Sequence, residues 1–138
     1  MSSTRRSGFT LVEILIVVVI LGILAAIVIP QFTNASTTAK LNSLTSDLQT
    51  VRSQVALYAS QHNDAAPTVA NFAAQLTGQT DVTGATNGTG FGPYLLTLPN
   101  NPFTNTNTVG NGANGTSAWY TDGTGVFRAN DTAAHAAY

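Results

Sequence analysis

The chain has 138 residues, with five Lys and Arg against six Asp and Glu and no cysteine. That is about one domain's worth of chain. A formal net charge of −1 argues against a protein that grips nucleic acid by its phosphates. The lack of cysteine excludes disulfides, thiolate metal sites and cysteine nucleophiles. Charged residues make up only 8% of the chain, low for a soluble domain, so the surface is expected to be Thr, Ser, Asn and Gly. Such surfaces suit proteins that live outside the cytoplasm or against other subunits.

Residues 1–8 are short, polar and basic, with Arg5 and Arg6 just ahead of Gly8. Beside an apolar run they form a positive-inside flank, which places the N-terminus in the cytoplasm. From Ile14 to Ile29 no side chain is polar. Counted from Phe9 to Ile29, a helix here spans ~31 Å, matching a hydrocarbon core of ~30 Å. The run is longer than the h-region of a secretory signal peptide and carries the carboxylate Glu13 near its start. Gly22 weakens this helix. Pro30 lacks an amide hydrogen and clashes with the Ala26 carbonyl, so a kink is expected there.

Beyond Pro30, Leu41, Leu44, Leu48, Val51, Val55 and Tyr58 recur at helical spacing as one apolar stripe. The stripe suits either a coiled coil or, preferably, a helix lying on its own domain's core. The pattern ends at His62-Asn63-Asp64, and Pro67 confirms the stop. Thr68 is expected to cap a short second helix through Val69, Phe72, Ala73 and Leu76, ending at Gly78. The remainder is rich in Gly, Asn and Thr, with two regions of firmer character. One is Gly90–Phe103, aromatic and fixed by three prolines. The other is a hairpin in which Ala118–Thr121 and Val126–Ala129 flank an Asp122-Gly123 turn. Trp119, Tyr120 and Phe127 are expected to lie on the helical stripe. The fold class is α+β: a long kinked N-terminal helix, half membrane-spanning and half amphipathic, packed on a small antiparallel sheet with long loops.

Gly8-Phe9-Thr10-Leu11-Val12-Glu13, with its basic leader and apolar run, resembles the cleavage and methylation motif of type IV pilins and of type II secretion pseudopilins. Gly22 and Pro30 fall where that family has its helix-weakening residues. The resemblance implies that a prepilin peptidase and methyltransferase cuts between Gly8 and Phe9 and methylates the new amine of Phe9. It implies a subunit anchored once in the inner membrane, N-terminus cytoplasmic and head periplasmic. An inner-membrane assembly platform and minor subunits then draw the subunit into a homo-oligomeric, periplasmic or cell-surface filament. Glu13 would pair with the Phe9 amine of a neighbouring subunit, and the segment between Gly22 and Pro30 would partly unwind. The implied layout is a cleaved leader at 1–8, an anchor at 9–30 and a head at 31–138. Within the head, 31–63 is the amphipathic helix and 64–138 holds the loops and small sheet.

Gly92-Pro93-Tyr94-Leu95, Leu98-Pro99 and Asn101-Pro102-Phe103 are similar to the Gly-Pro-Tyr-Leu, Leu-Pro and Asp-Pro-Trp segments of the major pseudopilin, with Asn101 and Phe103 departing from it. The resemblance further implies calcium tying down the C-terminal loop. Only Asp81, Asp122 and Asp131 supply carboxylates after residue 76. Calcium takes about six to eight oxygens, several of them from carboxylates. Asp122 and Asp131 are therefore weak calcium candidates, surface turns are preferred for them, and no metal ligand set is assigned. No cofactor is otherwise expected.

An enzyme is not expected, because His62 and His135 lack neighbouring catalytic or metal-ligand patterns. The Gly-rich loops lack the lysine of a phosphate loop. The favoured reading is a structural filament subunit, a major pseudopilin of a type II secretion system. The rivals are a type IV pilus pilin for adhesion or motility, a single-span anchored binding module that never polymerises, and a secreted protein with a long signal peptide.

Overall fold

The computed structural model describes residues 8–138, so residues 1–7 of the expected leader, Arg5 and Arg6 among them, lie outside the described residues. The chain divides into two compact units, one ending at Ala39 and the other running from Lys40 to Tyr138. Helix α1, Leu11–Gln61, contributes to both. Helical structure continues through Pro30, which supplies no amide to the Ala26 carbonyl. In the first unit Thr33 and Thr37 turn their hydroxyls inward, donating to the Ile29 and Thr33 carbonyls at 3.1 Å each.

In the second unit the stripe holds a core. Leu44, Leu48, Val51, Val55 and Tyr58 are buried, while Leu41 at its upstream end is half-buried. They meet Phe72, Leu76, Leu98, Trp119 and Phe127 in one cluster. The 3.6-residue period therefore served an intramolecular core, the reading preferred from sequence. Helix α1 ends as expected near His62. Asn63 and Asp64 take φ of 54° and 62°, and the Asp64 amide returns to the Ala59 carbonyl at 2.9 Å. A left-handed residue stops a helix and meets its last carbonyls, and Asn and Asp tolerate that conformation.

Helix α2 spans Phe72–Thr77, beginning after Asn71 rather than at Thr68. Thr68 does not cap it. Instead its amide and hydroxyl donate to Gln75 Oε1 at 2.8 and 3.2 Å, while Gln75 Nε2 donates to the Gly84 carbonyl at 2.8 Å. The buried glutamine holds the hydroxyl whose oxygen local capping would have used as an acceptor. Gly84 is obligatory here: its φ is +83°, and a Cβ would stand 2.5 Å from the Tyr58 hydroxyl. Gly78 closes α2 in extended rather than left-handed backbone, its amide bonding Ala74 O at 2.9 Å.

Strands β1 (Val109–Gly110), β2 (Trp119–Thr121) and β3 (Phe127–Ala129) form a sheet in chain order. The expected hairpin is present, with Thr121 opposite Phe127. The sheet is mixed, however, because β1 runs parallel to β2 with Val109 opposite Trp119. The glycine-rich segment after β1 folds back on Asn130, whose Nδ2 bonds Ala113 O at 3.2 Å and Ser117 Oγ at 2.8 Å. The chain thus re-enters in its original direction. Trp119 and Phe127 are buried in the core, their rings 5.2 Å apart, and Trp119 Nε1 donates to Pro99 O at 2.9 Å. Tyr120 instead faces outward under Arg128, whose guanidinium carbon lies 4.0 Å from the ring centroid.

Candidate functional site: the N-terminal processing and packing segment

Gly8, Phe9 and Thr10 precede α1 in extended or irregular backbone, so the Gly8–Phe9 bond lies outside the helix. Thr10 is the turning point. Its carbonyl accepts the first helical bond, from the Ile14 amide at 3.3 Å. Its hydroxyl accepts from the Glu13 amide at 3.3 Å, and Glu13 Oε2 accepts from the Thr10 amide at 2.7 Å and the Thr10 hydroxyl at 2.8 Å. This is a reciprocal capping box, Thr-x-x-Glu, which meets helix-end donors that would otherwise be orphaned. The sequence carried the signal, but the motif reading looked only between subunits for the partner of Glu13. Within the described residues Oε1 of Glu13 accepts no hydrogen bond.

The stretch of α1 behind Glu13, from Ile14 to Ile29, is apolar on every side, and none of it is buried in its own chain. Every large apolar residue from Leu11 to Ile29 is at least 49% exposed. Water does not tolerate such a surface, which marks a membrane or a protein partner. By length and composition α1 contains a stretch able to cross a membrane. Among the described residues nothing beyond the adjoining helix backbone would lie within 4 Å of a Cβ at Gly22, so no packing contact there demands a glycine. Pro30 lies just past the apolar run.

The two calcium candidates do not share a partner. Asp122 Oδ1 accepts from the Thr124 amide at 2.8 Å, and that bond holds its carboxyl below the usual range. Asp131 bonds Asn101 and His135. No group of three or more His, Asp or Glu side chains placed to hold a metal occurs among the described residues. His62 is buried, its ring stacked on Tyr58 at 3.7 Å, Nδ1 donating to Tyr58 O at 2.7 Å and Nε2 2.9 Å from the Thr80 hydroxyl. Nδ1 thereby fixes the ring on α1, and Nε2 ties the loop after α2 to it.

Sequence comparison bears on the same segment. The family described as "Prokaryotic N-terminal methylation motif" matches residues 3–29. The chain is 43% identical over 58 residues to type II secretion system core protein G of Pseudomonas aeruginosa, covering 42% of this chain and 41% of that protein. It is 36% identical over 63 residues to the protein of the same name from Aeromonas hydrophila, covering 46% and 44%. With type IV major fimbrial protein FimA of Dichelobacter nodosus it shares 42% identity over 50 residues, covering 36% and 32%. The matched stretch thus spans less than half the length of each relative. No solved structure matches the chain. Its residues 3–29 carry the prokaryotic N-terminal methylation motif of prepilins, in a chain whose N-terminal part is similar to the type II secretion core protein G and to type IV fimbrial protein.

Proposed function

We propose that this chain is a non-enzymatic structural subunit of a helical type IV-like filament, a major pseudopilin of a type II secretion system, matured by cleavage between Gly8 and Phe9. One observation carries the reading: the stretch of α1 from Leu11 to Ile29, apolar on all sides and unburied in its own chain, starts immediately behind Gly8-Phe9 and bears a single carboxylate, Glu13. A signal-type cut after this helix would discard the anchor, whereas a cut before it keeps the anchor and frees an amine at Phe9. The subunit is then held in the inner membrane, with its head in the periplasm, until neighbouring copies replace lipid around the helix.

The capping box makes the membrane stage tolerable. A carboxylate unpaired at the centre of a membrane helix costs on the order of 2–3 kcal/mol. Glu13 lies near the helix end, and Thr10 already satisfies Oε2. Oε1 is left for a cation, and the methylated amine of a neighbouring Phe9 is the partner of suitable charge. Gly22 and Pro30 bracket the segment that would loosen on assembly. The prepilin peptidase, the assembly platform and minor subunits are the partners this route requires.

A surface pilus subunit is the second reading, favoured by the similarity to the fimbrial protein. Deletion of the gene separates the two: loss of secreted enzymes from the medium supports the pseudopilin, and loss of surface fibres with secretion intact supports the pilin. Mass spectrometry of the chain extracted from host membranes tests the common core of both. The expected N-terminus is N-methylated Phe9. A chain beginning beyond Leu24-Ala25-Ala26 would show a secreted protein, and an intact Met1 an unprocessed anchor.

A further inference from the structure

The resemblance to major pseudopilins implies calcium at the C-terminal loop, and the residues that stand there do not suit it. Calcium takes about six to eight oxygens with several carboxylates among them. Asp81 and Asp122 are each turned onto their own loops, bonding Thr83 and Ala85 in one case and Thr124 in the other. Asp131, whose side chain is 5% exposed, has neither oxygen free. Oδ1 accepts from Asn101 Nδ2 at 3.0 Å, and Oδ2 is bonded by His135 Nδ1.

Asn101 is fully buried, and both polar atoms of its side-chain amide have partners. Nδ2 donates to the Ala118 carbonyl as well as to Asp131, both at 3.0 Å, and Oδ1 accepts from the Phe103 amide at 2.9 Å. His135 in turn rests on Phe103, ring centroids 4.1 Å apart. The ties close a circuit: the loop at Asn101 and Phe103, the entry to β2 at Ala118, Asp131 after β3, and the closing 3-10 turn at His135. An aspartate at position 101 would aim an acceptor at two acceptors, Ala118 O and Asp131 Oδ1, and a cation or a shared proton would be needed to reconcile the three. The two N–H groups of the amide instead give both acceptors the positive partner they need.

We propose that Asn101, Asp131 and His135 take the place of a metal, so that the C-terminal part of this head is fastened by an amide–carboxylate–imidazole chain and is indifferent to calcium. The head is held this way whether or not the subunit polymerises, so the test does not depend on filament assembly. The probe is the full chain in detergent micelles, its thermal unfolding followed by the fluorescence of the single tryptophan, Trp119, in millimolar calcium and in chelator. The expected result is one Tm in both conditions. A native-state ligand at a hundredfold excess over its Kd would raise the Tm of a head this size by more than about 10 °C, and a rise of that kind would overturn the proposal. In chelator, Asn101→Asp is expected to lower the Tm by at least about 4 °C, since it removes both donor bonds and sets two carboxylates together. A Tm equal to that of the unsubstituted chain would show that the amide is not the bridge. Should Asn101→Asp fail to fold, His135→Phe keeps the stacking on Phe103 and deletes only the bond to Asp131. A lower Tm is expected from it in chelator, and an unchanged one sinks the circuit.

Discussion

Leu48→Ala puts the stripe of α1 to a quantitative test. Leu48 is 1% exposed and touches the cluster built by α2, β2 and β3. Truncating a leucine so enclosed costs about 2–5 kcal/mol, the lost transfer energy plus a cavity the neighbours only partly fill. The unit from Lys40 to Tyr138 is a small one, and at this size about 1 kcal/mol moves the Tm by roughly 4–8 °C. A mid-range loss of ~3 kcal/mol thus lowers the Tm by about 12–24 °C, a large part of a total stability of about 5–15 kcal/mol. Leu57→Ala is the matched control, on the same helix with the same chemical change but at a residue 45% exposed. It is expected within about 0.5 kcal/mol of the unsubstituted chain. The assay is thermal unfolding of the full chain in detergent, read by Trp119, which is itself buried in the cluster. Equal Tm values for the two variants would refute an intramolecular core. So would a Tm that climbs with protein concentration, the signature of a stripe stabilised by a second chain.

Glu13→Ala is expected to leave processing and membrane insertion intact and to abolish or misregister filaments; filament yield equal to wild type would refute the pairing role. Glu13→Gln separates the two uses of this side chain, because an amide oxygen still accepts from Thr10 but carries no charge. If charge pairing sets register, Gln fails in assembly as Ala does, whereas recovery with Gln would assign the role to capping. Arg52 donates from Nε to Phe127 O and from Nη1 to Tyr138 O, each at 2.8 Å. Arg52→Ala is expected to cost about 1–2 kcal/mol, or a Tm lower by roughly 4–16 °C, with circular dichroism as the check. Asp81 is held below the carboxylate's ordinary value of 3.8 by the Thr83 hydroxyl and the Ala85 amide. A depressed carboxyl contributes stability above its unfolded value and loses it as pH falls through the folded one. The Tm should therefore sag below about pH 4, and Asp122, depressed by Thr124, adds to the sag. Asp47, raised by burial, works the other way: its contribution is present at low pH and fades as pH rises through its folded value. Asp81→Asn keeps the acceptor and removes the titration, so its Tm against pH should be flatter on the acid side; an identical acid limb would refute the assignment.

What the sequence made legible was whatever depends on neighbours within a turn or two. The stripe from Leu44 to Tyr58, the stop at Asn63-Asp64 and the hairpin across Asp122-Gly123 all follow from local periodicity and turn chemistry. Contacts over longer separations were mostly not legible, the seating of Trp119 and Phe127 on the helical stripe excepted. The parallel pairing of Val109 with Trp119 rests on a two-residue strand in a glycine-rich stretch, where no alternation exists to read. The Thr68 cap failed where Gln75, seven residues on, holds the hydroxyl whose oxygen would have capped the helix. Asn101 reaches Ala118 and Asp131 across 17 and 30 residues. In the N-terminal segment local and non-local demands meet on one side chain. Thr10 and Glu13 are three residues apart, and their capping box satisfies Oε2 in the isolated subunit. The apolar run behind them has no favoured face, so its period cannot say what will cover it. If the proposed filament forms, the register between subunits falls to charge, and Glu13 Oε1, which Thr10 leaves open among the described residues, is the group on that run suited to a neighbouring amine.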